Sequence, residues 1–336
     1  MPVKKRSNTL LIYVSTLFLL TSMVLISTGP SSFYILYAAA ATAEQYSFVG
    51  KWGSQGSGFG KFSQPNGIVI DSQDNVYVDD FTALSNKIEK FTSNGTFITA
   101  WGDLGFGPGS FTNPAGIAID SQDNVYVADF GSADNGVQKF DSNGNFITSW
   151  GSTGLAAGQF INPGGIAVDF QGNVYVGDFG ENNRVQKFDS NGNFITKWGS
   201  PGTGDGQFIN PTGIAVDKSG NVFVIDSGNN RVQKFDSNGN FITKWGSPGT
   251  GDGQFDGPID LGLDSAGNLY IADFGNNRVQ KFDSNGNFIT KWGSPGTGDG
   301  QFNSPTDVAI NSKGRVYVVD SGNSRIQIFA LSSLSQ

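Results

Sequence analysis

The acidic side chains that could carry chemistry in this sequence are almost all aspartates. There is no His and no Cys among the 336 residues, and Glu occurs only at Glu44, Glu89 and Glu181. Ser-His-Asp and Cys-His nucleophiles are therefore excluded, and so are zinc sites built from His or thiolate ligands. The Asp, Asn, Tyr, Arg and Lys side chains that remain suit oxygen-ligated calcium or simple polar recognition.

Two of these aspartates stand where other copies of a repeated phrase have glycine. The phrase Pro-x-Gly-Ile-Ala-Val-Asp, or a close variant, occurs six times, and four copies keep the glycine, at Gly67, Gly116, Gly165 and Gly213. Asp260 and Asp307 replace it in the last two copies. One interpretation is drift at tolerant surface positions. The other is a small calcium or polar-ligand site built from Asp260 and Asp307.

A second phrase places an Asp five or six residues before an Arg. Asp178 precedes Arg184, and shorter copies run from Asp226 to Arg231 and from Asp273 to Arg278. The simplest interpretation is an ion pair that locks one repeat or two neighbours. Contact between these arginines and a ligand is the alternative.

Aromatic residues follow an Asp directly in the same kind of loop, and this pattern predicts a binding surface. Aromatic and Arg side chains supply much of the binding energy at protein interfaces. The predicted surface consists of Phe130, Phe179, Phe274, Arg184, Arg231, Arg278 and Arg325.

The elements that must position these residues repeat along the chain. The six tryptophans lie 47 to 49 residues apart, at Trp52, Trp101, Trp150, Trp198, Trp245 and Trp292. Each period holds four short apolar runs bounded by Gly, Asn, Asp or Pro, for example residues 213–216, 221–225, 231–235 and 241–245. Such runs are typical of β-strands, and the Asn-Gly pair between the third and fourth indicates a hairpin. The pattern predicts an all-β fold, a six-bladed β-propeller of four-stranded antiparallel blades.

The two ends of the chain predict how the ring closes. The last period stops after a third strand, at Phe329, whereas residues 48–53 (Phe-Val-Gly-Lys-Trp-Gly) match the fourth strand of other periods. We therefore expect residues 45–53 to complete the last blade, which would remove two exposed sheet edges.

The N-terminal 43 residues have the layout of an export segment. Lys4, Lys5 and Arg6 precede the apolar run from Leu10 to Ile26, and Ala41-Thr42-Ala43 is a small-residue cleavage position. We expect residues 1–43 to be a signal peptide or an uncleaved membrane anchor, followed by a propeller at 44–331 and a tail at 332–336. Either alternative predicts a secreted or cell-surface protein, in which the sequon at Asn94 is accessible to glycosylation.

Charge and repetition restrict the partners. Removal of residues 1–43 leaves 18 basic and 29 acidic residues, a net charge of −11. A domain with this negative charge is poorly suited to binding nucleic acid, and we expect that the propeller does not bind anionic membrane surfaces. Residues 185–208, 232–255 and 279–302 are the same 24 residues three times. In an enzyme with an asymmetric active site, such loops would be expected to differ from one repeat to the next. The presence of three identical segments therefore favours a scaffold over an enzyme.

The repeated phrases resemble the NHL-repeat family of six-bladed propellers. The resemblance covers essentially residues 45–330 and rests on Pro-x-Gly-Ile-Ala-Val-Asp, Asn-Val-Tyr-Val-x-Asp and Asn-Arg-Val-Gln-Lys-Phe, found for example between Pro163 and Phe188. It implies a binding platform, since relatives include RNA-binding and substrate-recognition domains, sensor domains of bacterial receptor kinases and a peptide-amidating lyase. The fold is also similar to lactonase-type propellers, some of which bind calcium in the central channel.

These observations together predict an exported or cell-surface propeller that is non-catalytic and serves as a binding protein or scaffold. We expect a monomer that recognises a protein or glycan through loops on one face and needs no cofactor. The alternative is a calcium-dependent hydrolase or lactonase-like enzyme whose carboxylate site, at the channel mouth, includes Asp260 and Asp307.

Overall fold

The structure consists of two units, residues 1–43 and 44–336. This computed structural model describes residues 23–27, 33–37, 44–81, 86–131 and 136–332. In the first unit, Met23–Ser27 (β1) and Phe33–Tyr37 (β2) pair antiparallel. Within the described residues, no helix is long and apolar enough to cross a membrane. The predicted cleavage position at Ala43 lies outside the described residues, so the signal peptide or anchor stays a prediction.

The second unit is the predicted ring of four-stranded antiparallel sheets. Its first strand is Tyr46–Trp52 (β3). Blade one contains Pro65–Ile70 (β4), Val76–Asp80 (β5), Lys87–Phe91 (β6) and Phe97–Trp101 (β7). Blade two contains Pro114–Ile119 (β8), Val125–Asp129 (β9), Gly136–Phe140 (β10) and Phe146–Trp150 (β11). Blade three contains Asn162–Val168 (β12), Val174–Phe179 (β13), Arg184–Phe188 (β14) and Phe194–Trp198 (β15).

The remaining blades repeat the pattern. Blade four contains Pro211–Val216 (β16), Val222–Asp226 (β17), Arg231–Phe235 (β18) and Phe241–Trp245 (β19). Blade five contains Pro258–Leu263 (β20), Leu269–Asp273 (β21), Arg278–Phe282 (β22) and Phe288–Trp292 (β23). Blade six contains Pro305–Ile310 (β24), Val316–Asp320 (β25) and Arg325–Leu331 (β26). In the described residues, the only helical segments are the 3₁₀ turns Ser227–Asn229 and Ser321–Asn323.

Strand β3 completes blade six, which confirms the predicted closure. It pairs antiparallel with β26 in a register that runs from Ile326 opposite Trp52 to Leu331 opposite Tyr46. The N–H of Ser332 extends the ladder by donating to the carbonyl of Gln45 over 2.7 Å. The ring therefore joins the two ends of the chain within one sheet.

The tryptophan period reflects a contact between neighbouring blades. Five of the six indoles cover the glycine of the Asn-Gly hairpin in the next blade; a Cβ on Gly144 would lie 2.5 Å from the ring of Trp101. Gly144 has a φ of +86°, which glycine adopts without strain. Trp292 precedes the closing blade, which has no such hairpin, and there the ring of Tyr46 stacks on it at 4.4 Å between centroids.

The hydrophobic core is divided into six clusters, each shared by two neighbouring blades. One cluster combines Ala215, Phe223 and Val232 of blade four with Leu261 and Leu269 of blade five. Another joins blade six to blade one and includes Trp52 from β3 at its edge. Burial of such side chains contributes roughly 1.5–3 kcal/mol each, so every blade depends on both neighbours.

Candidate functional site

A cavity of about 320 Å³ lies at the end of the central channel where the first strand of each blade begins. All six blades contribute to its wall. We call it the mouth cavity, and its wall includes Phe81, Phe130, Phe179, Thr212, Ile259 and Asp260. The first strands pack tightly around the channel below it; a Cβ on Gly165 would lie 1.7 Å from the carbonyl oxygen of Thr212. Close backbone approach therefore requires glycine at this position of blade three.

Two of the three predicted phenylalanines meet in this cavity. Phe130 and Phe179 are half-buried, and their rings lie edge to face with centroids 5.6 Å apart. Phe81 lines the same wall, although it was not predicted. It also follows an aspartate, Asp80, so the signal that marked the other rings applies to it as well. Phe274 is 37% exposed and lies outside the cavity wall.

The four predicted arginines are buried and engaged within the fold. The Nε of Arg231 donates to Asp226 over 2.7 Å, and its terminal nitrogens donate to the carbonyls of Thr203, Gly204 and Gln207. The same arrangement holds in three other blades, at Arg184, Arg278 and Arg325. These contacts correspond to the ion-pair interpretation of the Asp-to-Arg phrase. They place the guanidinium groups inside the loops and not on the cavity wall.

The aspartate of each pair also fixes the loop that reaches the cavity. Asp178 accepts hydrogen bonds from the backbone N–H groups of Ile161 and Asn162, over 2.9 and 3.1 Å. Asp226 accepts one from Ile209 over 2.8 Å. Because one carboxylate binds both the arginine and the backbone of the incoming loop, the start of the first strand is held rigidly. Phe179 therefore projects from a fixed support.

Asp260 lies where the mouth cavity meets the channel, and it lines both. It belongs to β20 of blade five and is partly accessible. Its side chain passes over Gly213 of blade four, where a Cβ would lie 2.3 Å from its Oδ1. Among the described residues, the hydrogen bond to its carboxylate comes from the backbone N–H of Leu261 over 2.8 Å. The neighbouring glycine thus creates the room that this aspartate occupies.

Two further carboxylates lie buried close to the first strands. Asp307 lines the channel together with Asp260, and its carboxylate accepts hydrogen bonds from the backbone N–H groups of Ile68 and Val308. Asp79 of β5 is 0% exposed, and its Oδ1 accepts the N–H of Gly67 over 2.7 Å. Its Oδ2 is buried, has no hydrogen-bond partner in the described part of the chain, and would lie 2.7 Å from a Cβ on Gly67. The sequence does contain a signal for Asp79, because the matching positions in the other five blades are uncharged: Ala128, Gly177, Ile225, Ala272 and Val319.

Burial sets the electrostatics of these three groups. Desolvation raises the pKa of Asp79 to about 7, against hydrogen bonds from Gly67 and Asn66 that favour the charged form. Desolvation also raises the pKa of Asp260 to about 7, with a further contribution from the charge of Asp79. The pKa of Asp307 lies well above its ordinary value, first because of burial and then because of Asp260. The three carboxylates therefore repel one another across the channel.

The sequence matches the NHL repeat model five times, at residues 111–140, 160–188, 208–235, 255–282 and 302–329. These segments fall on blades two to six. The chain is an NHL-repeat propeller. No curated protein matches its sequence.

Solved structures share the architecture of this NHL-repeat propeller. One is a protein of unknown function from Bacteroides thetaiotaomicron, with a TM-score of 0.64 and 18% identity, covering 86% of this chain and 76% of that one. Another is an auxiliary nutrient binding protein from Bacteroides ovatus, with a TM-score of 0.63 and 16% identity, covering 86% and 78%. At this identity the similarity extends to the fold alone.

Metal binding and glycosylation stay predictions for the NHL-repeat propeller. Among the residues that the structure describes, no group of three or more acidic side chains has an arrangement that could hold a metal ion. Calcium at Asp260 and Asp307 would have to recruit other ligands. Asn94 is exposed on the hairpin turn between β6 and β7, where its side chain accepts a hydrogen bond from Thr96 over 3.2 Å.

Proposed function

We propose that this NHL-repeat propeller is an extracytoplasmic, non-catalytic binding protein that holds part of a protein or glycan in its mouth cavity. The observation that carries the proposal is the meeting of three phenylalanines from blades one to three in one concave wall. Binding sites for small groups are concave and mostly apolar, with few polar side chains that orient the ligand. Thr212, Asp260 and Thr306 supply such polar groups here.

The binding face extends beyond the cavity to Phe274, which is exposed on the corresponding loop of blade five. The buried arginines serve this face indirectly, because they hold the loops that carry the aromatic rings. One solved structure with this fold is an auxiliary nutrient binding protein, and ligand capture by this chain would be a related role.

Loss of the aromatic wall should weaken partner binding. We expect Phe130→Ala combined with Phe179→Ala to lower the affinity for the partner about tenfold or more, since buried aromatic anchors dominate binding energy. Glycan and peptide arrays probed with the purified protein identify ligands, and titration calorimetry measures their affinities. Phe106→Ala is the matched control, because Phe106 is 68% exposed and lies outside the cavity wall. Equal affinities for the double variant and the wild type would place the binding site elsewhere.

Export is a separate part of the proposal and has its own test. We expect protein recovered from outside the cell to begin at Glu44. That boundary would keep Glu44 available to Lys281, whose Nζ contacts the Glu44 carboxylate at 2.5 Å. N-terminal sequencing decides the matter. A native protein that begins at Met1 or Pro2 would show that residues 1–43 are retained.

A further inference from the structure

The wall of the mouth cavity combines aromatic faces with one acidic group. Phe81, Phe130 and Phe179 line it beside Pro114 and Ile259, and Asp260 lies at the junction with the channel. No Lys or Arg is among the described residues that form this wall. The cavity therefore presents apolar surface near the opening and negative charge at its base.

The negative charge at the base has no cationic partner in the described part of the chain. Among the described residues, the hydrogen bonds to Asp260, Asp307 and Asp79 all come from backbone N–H groups, and no ion pair involves any of the three. The Oδ2 of Asp79, next to Gly67, is buried and has no hydrogen-bond partner among the residues that the structure describes. A cation that entered the cavity would relieve the mutual repulsion of these carboxylates.

The kind of cation follows from the other wall residues. A metal ion would need several oxygen ligands, and no acidic cluster in the described residues has the arrangement to supply them. An ammonium group needs only one carboxylate, and it is also attracted to the faces of aromatic rings. Its alkyl or aryl body would occupy the apolar part of the cavity.

We infer that the mouth cavity binds an organic ammonium ion, with Asp260 as the counter-charge and Phe81, Phe130 and Phe179 around its apolar body. This inference rests on the proposed function and names the chemistry that the cavity selects. Asp307 and Asp79 are positioning residues that increase the negative potential at the base without contacting the ligand.

Benzylamine and benzyl alcohol form a probe pair that differs in charge at nearly constant shape. Titration calorimetry on the purified protein at pH 8 should show that benzylamine binds about tenfold or more tightly than the alcohol, the equivalent of roughly 1.4 kcal/mol. Asp260→Asn should reduce this preference to less than about threefold, whereas Asp252→Asn should keep it. Asp252 is an exposed carboxylate paired with Lys291 and serves as the charge-matched control. The melting temperature of each variant shows that it is folded.

The pH dependence of binding gives a second readout. Asp260, Asp307 and Asp79 are the titratable groups that face one another here, and all three have raised pKa values. The affinity for benzylamine should therefore fall between pH 8 and pH 6, while that for benzyl alcohol should stay constant.

Each alternative outcome is distinguishable. Equal affinities for benzylamine and benzyl alcohol would overturn the inference but leave the mouth cavity as a binding site. An amine preference that survives Asp260→Asn would also overturn it. If calcium chloride raises the melting temperature through Asp260 and benzylamine does not bind, the base of the cavity is a metal site. Failure of the array experiment, by contrast, would count against the proposed function itself.

Discussion

A chain that begins at Ser54 should lose cooperative unfolding. The deletion removes β3 and with it the fourth strand of blade six, which pairs with β26 from Ile326 to Leu331. It also removes Trp52 from the cluster between blades six and one, and Tyr46 from its stack on Trp292. Two sheet edges would be left open, and exposed edges promote aggregation. We expect a broad thermal transition and oligomers in size-exclusion chromatography.

A chain that begins at Glu44 is the control for this deletion. It keeps Glu44, Tyr46 and Trp52, so it should melt in one sharp transition. A synthetic peptide of residues 44–53, added to the chain that begins at Ser54, should restore a sharp transition if the pairing is specific. Unchanged melting and a monomeric state in the shortened chain without peptide would mean that β3 does not hold the ring closed.

The architecture was predictable because the contacts that define it recur. Five of the six Trp residues cover the hairpin glycine of the next blade, as Trp101 covers Gly144, and this contact needs the same two residue types at the same spacing each time. The closure was predictable for the same reason, since residues 48–53 still match the fourth strand that they form. A repeated contact leaves a repeated pattern in the sequence.

The direction in which individual side chains point was harder to predict from the sequence. Arg231 and Phe179 both follow an aspartate in similar loops, but the arginine binds inside the loop and the ring faces the cavity. The repeated phrase contains no information on this difference, which depends on backbone carbonyls such as that of Thr203. Asp79 and Asp260 lie in different strands of different blades, and only the closed ring brings their charges together. Asp260 and Asp307 share a position of the repeated phrase and could be paired from the sequence, whereas Asp79 lies at another position of the repeat and could not.

The buried carboxylates predict that stability falls as the pH rises. The pKa of Asp79 is about 7 in the folded protein against an ordinary value of 3.8, so the folded state binds its proton more tightly than the unfolded state does. Protonated Asp79 therefore favours folding, and this contribution is lost progressively between about pH 4 and pH 7. The difference between these two pKa values corresponds to a change of on the order of 4 kcal/mol in the free energy of unfolding. The wild type should melt at a lower temperature at pH 8 than at pH 5.

Asp79→Asn isolates this effect because the amide oxygen still accepts the N–H groups of Gly67 and Asn66 without carrying charge. The variant should be more stable than the wild type at pH 8, by about 5–10 °C in melting temperature, and nearly equal to it at pH 4. Turn aspartates such as Asp141 and Asp283 have lowered pKa values, so the stability that their charged forms contribute is lost only as the pH falls below about 4. The control variant Asp252→Asn should have nearly the same melting temperature as the wild type at both pH 4 and pH 8. If Asp79→Asn lowers the melting temperature more at pH 8 than at pH 4, the charged carboxylate of Asp79 stabilises the fold, which would point to a cation bound at the channel.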